Sequence, residues 1–251
     1  MKIRIKFAKV GPMKFVGYLD TLRFFQKAIR RAEIDIAYST GYSPHQIMSF
    51  AAPLGVGVES EGEYFDMEVH SFTTSEDMRN RLNSVMPEFF SIASVRLLPD
   101  TIKNAMASVV AAKYVVNLRK GYEAPFSWED SIEEFMEQES IMVWKKSKKS
   151  EREIDVKPLI YQMNICQKGV ELVVNASSGA NIKPKLVMQA LYEHNGATLG
   201  EYDIEVTRIE MYGLNQEEVK MHKEQVTNGL RDEYEYELDT LLALEDFGND
   251  F

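Results

Sequence analysis

The sequence has few of the residues and segments that mark several large classes of protein. Its 251 residues include a single cysteine, Cys166, which excludes an internal disulfide and a zinc site built from cysteines. No run of about 18 uncharged apolar residues occurs, so a membrane-spanning helix is not expected. Residues 1–11 alternate charged and apolar side chains, unlike a secretory signal. We therefore expect a cytoplasmic protein.

Several motifs that carry chemistry are also absent. The sequence contains no Gly-rich phosphate loop, no dinucleotide-binding Gly motif after a strand, no Gly-x-Ser-x-Gly elbow and no His-Glu-x-x-His. The four histidines, His45, His70, His194 and His222, are scattered along the chain. We predict no metal site and no cofactor.

The composition that remains is that of an ordinary globular protein, with 45% hydrophobic and 27% charged residues. The net charge of −10 conceals an asymmetry. Residues 1–34 carry nine bases and two acids, whereas residues 215–251 carry three bases and eleven acids. Because phosphate binding depends on a local basic patch, the acidic total does not exclude a nucleic-acid partner. The alternative is that these charged faces are merely solvated.

Hydrophobic periodicity in the first half predicts the order β-α-β-β-α-β. Residues 2–9 alternate as a half-buried strand does. Asp20 is a candidate N-cap for an amphipathic helix that ends near Ala32 and has a basic solvent face. The remaining predicted elements are strands at 35–38, 46–52, 64–70 and 90–98, a connection at 53–63, and a helix from Thr73 or Thr74 to about Val85. This order is typical of the ferredoxin-like fold.

The second half repeats this order less regularly. The predicted elements are strands at 113–119, 141–146 and 204–212, a hairpin at 159–175, and helices at 128–138 and 184–193. We predict an α+β fold of two tandem ferredoxin-like domains, residues 1–100 and 111–213, followed by an acidic tail at 214–251. Within that tail, residues 235–244 have the pattern of an amphipathic helix. The predicted linkers are 99–112 and 145–152.

Two basic segments are candidates for nucleic-acid binding. The loop after the basic helix offers Tyr42, Ser43 and His45, a mixture that suits base stacking and phosphate binding. The second segment follows Trp144, whose ring is suited to stacking on a base. The predicted nucleic-acid-binding residues are Arg23, Lys27, Arg30, Arg31, Tyr42, Lys145, Lys146, Lys148 and Lys149.

The same loop supplies a candidate catalytic residue. Histidine is the residue type that most often serves in general acid–base catalysis, so His45 is the candidate here. The alternative interpretation is structural: Tyr42 packs on the domain edge and His45 hydrogen-bonds a loop carbonyl. Asp20 and Ser43 are further candidate site residues.

Glu61 and Glu63 are an acidic candidate site. Two residues apart on one strand, their carboxylates lie on the same face at a spacing of about 7 Å. This pattern predicts a cation site or a clamp on the bases of the first helix. An ordinary solvent-facing strand edge is the alternative.

Residues 1–65 contain a series of short motifs, namely Lys6–Phe7, Gly11–Pro12, Phe15, Leu19–Asp20, Arg23, Ala28–Arg31, Tyr38–Ser39, Gly41–Tyr42, Pro44–His45, Ser49–Phe50, Pro53–Leu54 and Gly57–Glu63. In these motifs the chain resembles a bacterial family of radical-SAM-linked proteins, and the resemblance extends over residues 1–212. The chain departs from the pattern at Tyr18, where the family has His, and at Gln46–Ile47, where it has Pro-Lys.

The resemblance implies a link to radical S-adenosylmethionine chemistry and to genes for ribosomal proteins and ribonucleases. Proteins of this family occur alone or fused to a radical SAM protein. This chain lacks the three clustered cysteines that hold the iron–sulfur cluster, so it is not itself the radical enzyme.

Three functions are therefore compatible with the sequence. The first is an RNA-binding or substrate-presenting accessory module, with tRNA or rRNA lying in a groove formed by the basic helix, the Tyr42–His45 loop and the 145–152 hairpin. The second is an RNA-processing, phosphoester-acting enzyme that uses His45, with Arg23 and Arg30 stabilising the developing charge. The third is an adaptor for a separate radical SAM protein, whose acidic tail docks on a basic surface or folds back on the basic N-terminal region. No membrane partner is expected.

Overall fold

The computed structural model describes residues 1–146 and 151–251 and has a mixed α/β fold. The strands are β1 (Lys2–Lys9), β2 (Met48–Phe50), β3 (Glu59–Glu68), β4 (Phe90–Leu98), β5 (Ala111–Leu118), β6 (Met142–Lys146), β7 (Glu151–Asp155), β8 (Ile160–Cys166), β9 (Gly169–Asn175), β10 (Ile204–Gly213) and β11 (Leu242–Ala243). The helices are α1 (Tyr18–Arg31), α2 (Ser75–Ser84), α3 (Ala105–Ser108), α4 (Trp128–Glu137), α5 (Pro184–His194) and α6 (Gln216–Thr227). In these two described ranges, no helix has the length and apolar character that crossing a membrane requires.

The chain divides into two compact units. Unit 1 consists of residues 1–109, 208–216 and 242–251, and unit 2 consists of residues 110–207 and 217–241. The first division falls inside the predicted linker. The segment predicted as a separate acidic tail is instead divided between the two units.

Unit 1 contains the predicted order of elements. β1 pairs antiparallel with both β3 and β4, and the short β2 pairs antiparallel with β3. The side chains of Ile3, Ile5 and Phe7 alternate along β1 and are buried on one face of this sheet. Phe25 and Ile29 of α1 are fully buried in the same core cluster. The apolar faces that periodicity predicted for β1 and α1 therefore pack together.

Five phenylalanine rings form the centre of this core. Phe7 contacts Phe25 at a ring-centroid distance of 4.7 Å and Phe90 at 6.3 Å. Phe50 and Phe65 stack at 5.2 Å. Such ring pairs add specific geometry to the burial of apolar area. Because Phe25 belongs to this cluster, α1 is fixed with its charged face toward solvent.

The opposite face of β1 is polar but is covered from solvent. Arg4 is fully buried, and its Nε and Nη2 donate to the two carboxylate oxygens of Asp66 at 2.8 and 3.0 Å. Arg4 Nη1 donates to the carbonyl of Leu244 at 3.0 Å. The backbone N–H of Ala105 donates to Asp66 at 2.7 Å. A buried charge needs such partners to offset the loss of hydration.

Lys6 lies on this covered face as well. Its ammonium group is 2.6 Å from Glu210 and 2.5 Å from Glu245. Tyr64 donates its hydroxyl to the other oxygen of Glu210 at 2.6 Å. Part of the positive charge of residues 1–34 is therefore neutralised inside unit 1 by acids from β10 and the C-terminal segment.

The C-terminal residues 242–251 are an integral part of unit 1. Leu244 is fully buried, and Arg96 pairs with Asp250 at 2.5 Å. The ring of Phe251 lies 4.5 Å from that of Phe72. The helix predicted at 235–244 is wrong: short 3₁₀ helices occupy Leu238–Thr240 and Leu244–Phe247, because this segment is anchored by partners distant in sequence.

Unit 2 contains an antiparallel sheet in which β5, β9 and β8 follow one another in that spatial order. β6 pairs with β7 in a separate two-stranded sheet. The sequence of β7, with charged residues at most positions, resembles a linker because most of its residues are exposed. The tandem ferredoxin-like arrangement stays a prediction.

The start signals of two helices are confirmed. Thr74 accepts a hydrogen bond from the N–H of Asp77 at 3.1 Å, as expected for an N-cap. Ser127 caps α4 through the N–H of Asp130. Asp20 does not cap α1, because the helix begins earlier with Gly17 at the N-cap. Asp20 lies in the first turn, where its charge favours the helix dipole.

The buried ion pair generates a stability prediction. Asp66→Asn leaves the guanidinium of Arg4 buried without a carboxylate. We expect the free energy of unfolding to fall by about 3–5 kcal/mol, because an uncompensated buried charge costs that much. Urea-induced unfolding followed by circular dichroism measures the change.

The matched control is Glu68→Gln, because Glu68 belongs to the same strand and is exposed. We expect it to change the free energy of unfolding by less than about 0.5 kcal/mol. Equal changes in the free energy of unfolding of the two variants would show that the Arg4–Asp66 pair contributes no more to stability than an exposed residue of the same strand.

The contact between Lys6 and Glu245 generates a pH prediction. Burial alone raises the pKa of Glu245, but the hydrogen bond and charge of Lys6 outweigh it and hold this pKa below its ordinary value. A lowered carboxyl pKa adds stability above the ordinary pKa, and this stability is lost as pH falls through the folded-state pKa. The free energy of unfolding of the Glu245→Gln variant should therefore be lower than that of the unmodified chain by about 0.5–1 kcal/mol at pH 7. Urea titrations at decreasing pH should show this difference in free energy shrinking below the ordinary pKa of 4.5. A difference that stays constant with pH would contradict this assignment.

Candidate nucleic-acid interface

The solvent face of α1 carries a narrow arc of basic side chains. At 100° per residue, Arg23, Lys27 and Arg30 lie within about 60° of one another. All three side chains are exposed. Arg31 follows Lys27 by four residues and adjoins this arc, and its Nη2 donates to the carbonyl of Val85 at 3.2 Å. Arg31 is therefore engaged with a backbone carbonyl of unit 1.

Asp20 is the acidic neighbour of this arc. Its carboxylate lies 3.4 Å from Arg23, and both side chains are 69% exposed. An exposed ion pair of this kind contributes little free energy. Arg23 can therefore exchange this partner for a phosphate at small cost.

A tight loop stands beside α1. Tyr38 and Gln46 form a β-bridge, and the N–H of Ser39 donates to the carbonyl of His45 at 2.8 Å. Gly41 at the tip has a φ of +120°, a conformation that other residues rarely adopt. The ring of Tyr42 beside it is fully exposed. The predicted alternative, in which Tyr42 packs on the domain edge, is wrong.

The base of the loop is tied to the helix. The side-chain amide of Gln46 donates to the carbonyl of Gln26 at 3.2 Å. Gln26 lies between Arg23 and Arg30 along α1. Unit 1 therefore brings the basic arc and the predicted Tyr42–His45 loop together.

His45 is held by a hydroxyl group at the base of this loop. Its Nδ1 lies 2.8 Å from Ser39 Oγ, and its backbone N–H donates to the same oxygen at 3.1 Å. The side chain is exposed. Such a hydrogen bond orients an imidazole ring, as a general base requires. A catalytic role for His45 stays a prediction, and Ser43 is an exposed residue of the loop tip.

Exposed apolar side chains next to the basic arc were missed by the sequence analysis. Phe15 is 66% exposed, Leu19 60% and Val56 65%. Leu19 lies one helical turn before Arg23 on the same face. The N–H of Gly57 donates to the carbonyl of Lys14 at 2.9 Å, which ties the loop of Val56 to the segment that carries Phe15. Helical spacing indicates the exposure of Leu19, whereas Phe15 and Val56 lie outside α1, where exposure depends on tertiary contacts.

The expected acidic site at Glu61 and Glu63 does not form. Glu63 is buried, and its carboxylate lies 2.9 Å from Arg208 of β10. Burial raises the pKa of Glu63, while Arg208 and Lys9 oppose this rise. Glu61 is exposed on β3. Glu63 thus forms an ion pair with β10 and not with the basic side chains of α1. In residues 1–146 and 151–251 no cluster of three potential metal ligands exists.

The second predicted basic segment belongs to unit 2. Trp144 and Lys145 lie on β6, and the indole is 61% exposed. Lys146 ends the strand. Lys148 and Lys149 lie outside the described residues. The members of the predicted groove are therefore divided between unit 1 and unit 2.

The geometry of the loop generates a prediction. Ser39→Ala removes the acceptor of the His45 N–H. We expect the amide hydrogen of His45 to exchange with solvent about fivefold faster, because one hydrogen bond contributes about 1 kcal/mol to local opening. Amide exchange followed by NMR measures the rate. Ser43→Ala, at the exposed loop tip, is the matched control and should leave it unchanged; equal rates in both variants would mean that Ser39 does not close the loop.

Comparisons with known proteins found a matching family model and similar solved structures. A family model described as "Uncharacterized protein conserved in bacteria (DUF2344)" matches residues 2–184. The solved structure of a Cbf5–Nop10–Gar1 complex contains a similar chain, with 12% sequence identity and a TM-score of 0.45. The match covers 92% of this chain and 57% of that chain, so this chain spans less than two thirds of the other's length. No curated protein matches.

Proposed function

We propose that this chain, which belongs to the bacterial family DUF2344, binds single-stranded RNA through α1 and the Ser39–His45 loop. One observation carries the proposal: a row of exposed basic side chains on α1 lies beside a loop whose tip presents the fully exposed ring of Tyr42. The basic arc would contact phosphates and the ring would contact a base. We refer to the two features together as the α1 surface.

The charge on this surface favours a polyanion. Arg23, Lys27 and Arg30 occupy three positions along little more than two turns of one helix face. Basic side chains in such a row neutralise successive phosphates and release condensed counterions, which drives binding. Because the net charge of the chain is −10, a local patch of this kind concentrates any attraction for phosphate in one place.

The exposed ring favours a single strand. The bases of a duplex are stacked and paired, whereas the bases of a loop or single strand are free to stack on an aromatic side chain. Tyr42 stands on a closed loop with its ring in solvent, so a base could reach it without rearrangement of the core. Stacking of this kind tolerates any sequence, because every base has a π-face.

The position of the C-terminal acids supports the same proposal. Glu245 and Asp250 pair with Lys6 and Arg96, which carry their charge on β1 and β4. The apolar face of β1 packs in the core with α1, whereas Lys6 lies among the covered polar residues of the other face. These acids consequently leave the α1 surface accessible to a ligand.

In this function the chain would present RNA to another protein. Its single cysteine cannot ligate an iron–sulfur cluster of the radical SAM type, so any radical chemistry would belong to a separate protein. We accordingly propose an accessory role for this chain, with tRNA and rRNA as the first RNAs to test.

The proposal is tested by salt-dependent RNA binding. The double variant Arg23→Ala/Arg30→Ala should bind tRNA and total cellular RNA about tenfold more weakly at low salt, because two phosphate contacts are lost. Its plot of log affinity against log salt concentration should be shallower by about 1.4 units for a single strand. Filter retention at about 50 and 200 mM salt measures both quantities.

Arg31→Ala is the matched control, since it removes the same charge from the same helix at a position engaged with Val85. We expect its RNA affinity to stay within about twofold of the unmodified chain. Equal weakening by both sets of substitutions would indicate a general charge effect and not the α1 surface. Failure of the unmodified chain to bind RNA would favour the adaptor function.

Catalysis by His45 is the competing function, favoured by the hydrogen bond that Ser39 makes to its ring. In the same binding experiment, RNA cleavage products that disappear in His45→Ala while affinity is retained would establish this enzyme function.

A further inference from the structure

A cleft lies within unit 2 between β6 and α5. Its volume is about 680 Å³, within the range of small-molecule sites. The residues that line it and matter here are Trp144, Lys145, Asn181, Lys183, Lys185 and Glu193. Sequence patterns point to Trp144 and Lys145 but not to the two lysines of α5 and its N-cap, because these lie far from Trp144 in sequence.

The lysines of this cleft are bonded to neutral groups. Lys145 Nζ donates to the carbonyl of Asn181 at 2.6 Å, and Lys185 Nζ donates to the carbonyl of Glu201 at 2.9 Å. Lys183 is exposed. In the described part of the chain these partners are carbonyl oxygens and not carboxylates. Burial is the main cause that lowers the pKa of Lys145, and the neighbouring Arg152 and Lys183 add to it.

Unit 1 contains a cleft of similar volume in whose lining basic and acidic side chains occur together. It measures about 660 Å³ and includes Arg96, Glu245 and Asp250. There Arg96 pairs with Asp250 at 2.5 Å. The cleft of unit 2 is distinguished by an excess of cations, with Glu193 as the acid in its lining. A bound anion would relieve the repulsion among these cations.

An aromatic ring stands in the same lining. Trp144 is 61% exposed, although Val143 beside it on β6 is 95% buried and anchors the strand. A largely exposed indole that lines the same cleft as Lys183 and Lys185 offers a stacking surface and a phosphate site together. This combination points to a ligand with a flat ring and a phosphate.

We propose that this cleft binds a nucleotide, with the base stacked on Trp144 and the phosphate held by Lys183 and Lys185. The ligand is either a free nucleotide or one nucleotide of a single strand, since both present the same base and phosphate. The site is built from unit 2 alone and so does not depend on the function proposed for the α1 surface.

The test uses the fluorescence of Trp144 in the full chain. Trp128→Phe removes the other tryptophan of the sequence and leaves Trp144 as the reporter. Titration with AMP and with a short single-stranded oligo(A) should quench this emission to saturation, because a stacked base lies on the indole. Lys183→Ala/Lys185→Ala in the same background should raise the dissociation constant about tenfold.

Lys168→Ala is the matched control, an exposed lysine of unit 2 outside the cleft lining, and should leave the titration unchanged. Saturable quenching by AMP identifies a free nucleotide as sufficient, and quenching by oligo(A) alone identifies a nucleotide within a strand. The proposal is overturned if neither ligand quenches, or if the double lysine variant and Lys168→Ala titrate alike. Arg23→Ala/Arg30→Ala should leave quenching by AMP intact, which separates this site from the α1 surface.

Discussion

The buried ion pair of Arg4 and Asp66 joins parts of unit 1 that are far apart in sequence. Arg4 lies on β1 and Asp66 on β3, and the pair also holds the backbone at Ala105 and Leu244. A guanidinium has a planar set of donors, so its partners must come from fixed directions. Burial of this pair is tolerable only when each charge keeps its hydrogen bonds. The C-terminal segment is therefore required to lie where it does, over the polar face of β1.

This constraint determines which charges unit 1 presents to solvent. Lys6 is occupied by Glu210 and Glu245, and Lys9 donates to the carbonyl of Val16 at 2.5 Å. The basic character of residues 1–34 is thereby divided into an internal part on β1 and an external part on α1. Only the external part is available for a ligand, and the acidic residues near the C-terminus help to make this division. Part of the asymmetry of charge along the chain is therefore a structural feature of unit 1.

The two candidate binding surfaces were accessible to sequence reasoning to different degrees. The arc on α1 follows from helical periodicity, because a helix repeats every 3.6 residues whatever it packs against. The burial of Glu63 in an ion pair could not be predicted from local sequence, because its partner Arg208 lies on a strand far along the chain. The lysines that join Trp144 in the cleft of unit 2 were equally hidden. Exposed side chains in turns, such as Phe15, carry no periodic signal at all.

Local residue patterns predict the helices and strands of most of the chain, the buried faces of β1 and α1, and the caps at Thr74 and Ser127. These features depend on neighbours within a few residues, and local spacing records them. The tertiary structure was needed to show that β6 and β7 pair apart from the sheet of β5, β9 and β8, and that residues 242–251 belong to unit 1. It alone also decided which charges are buried. Pairing between distant segments depends on where the whole chain places them, and no local pattern of residues contains that information.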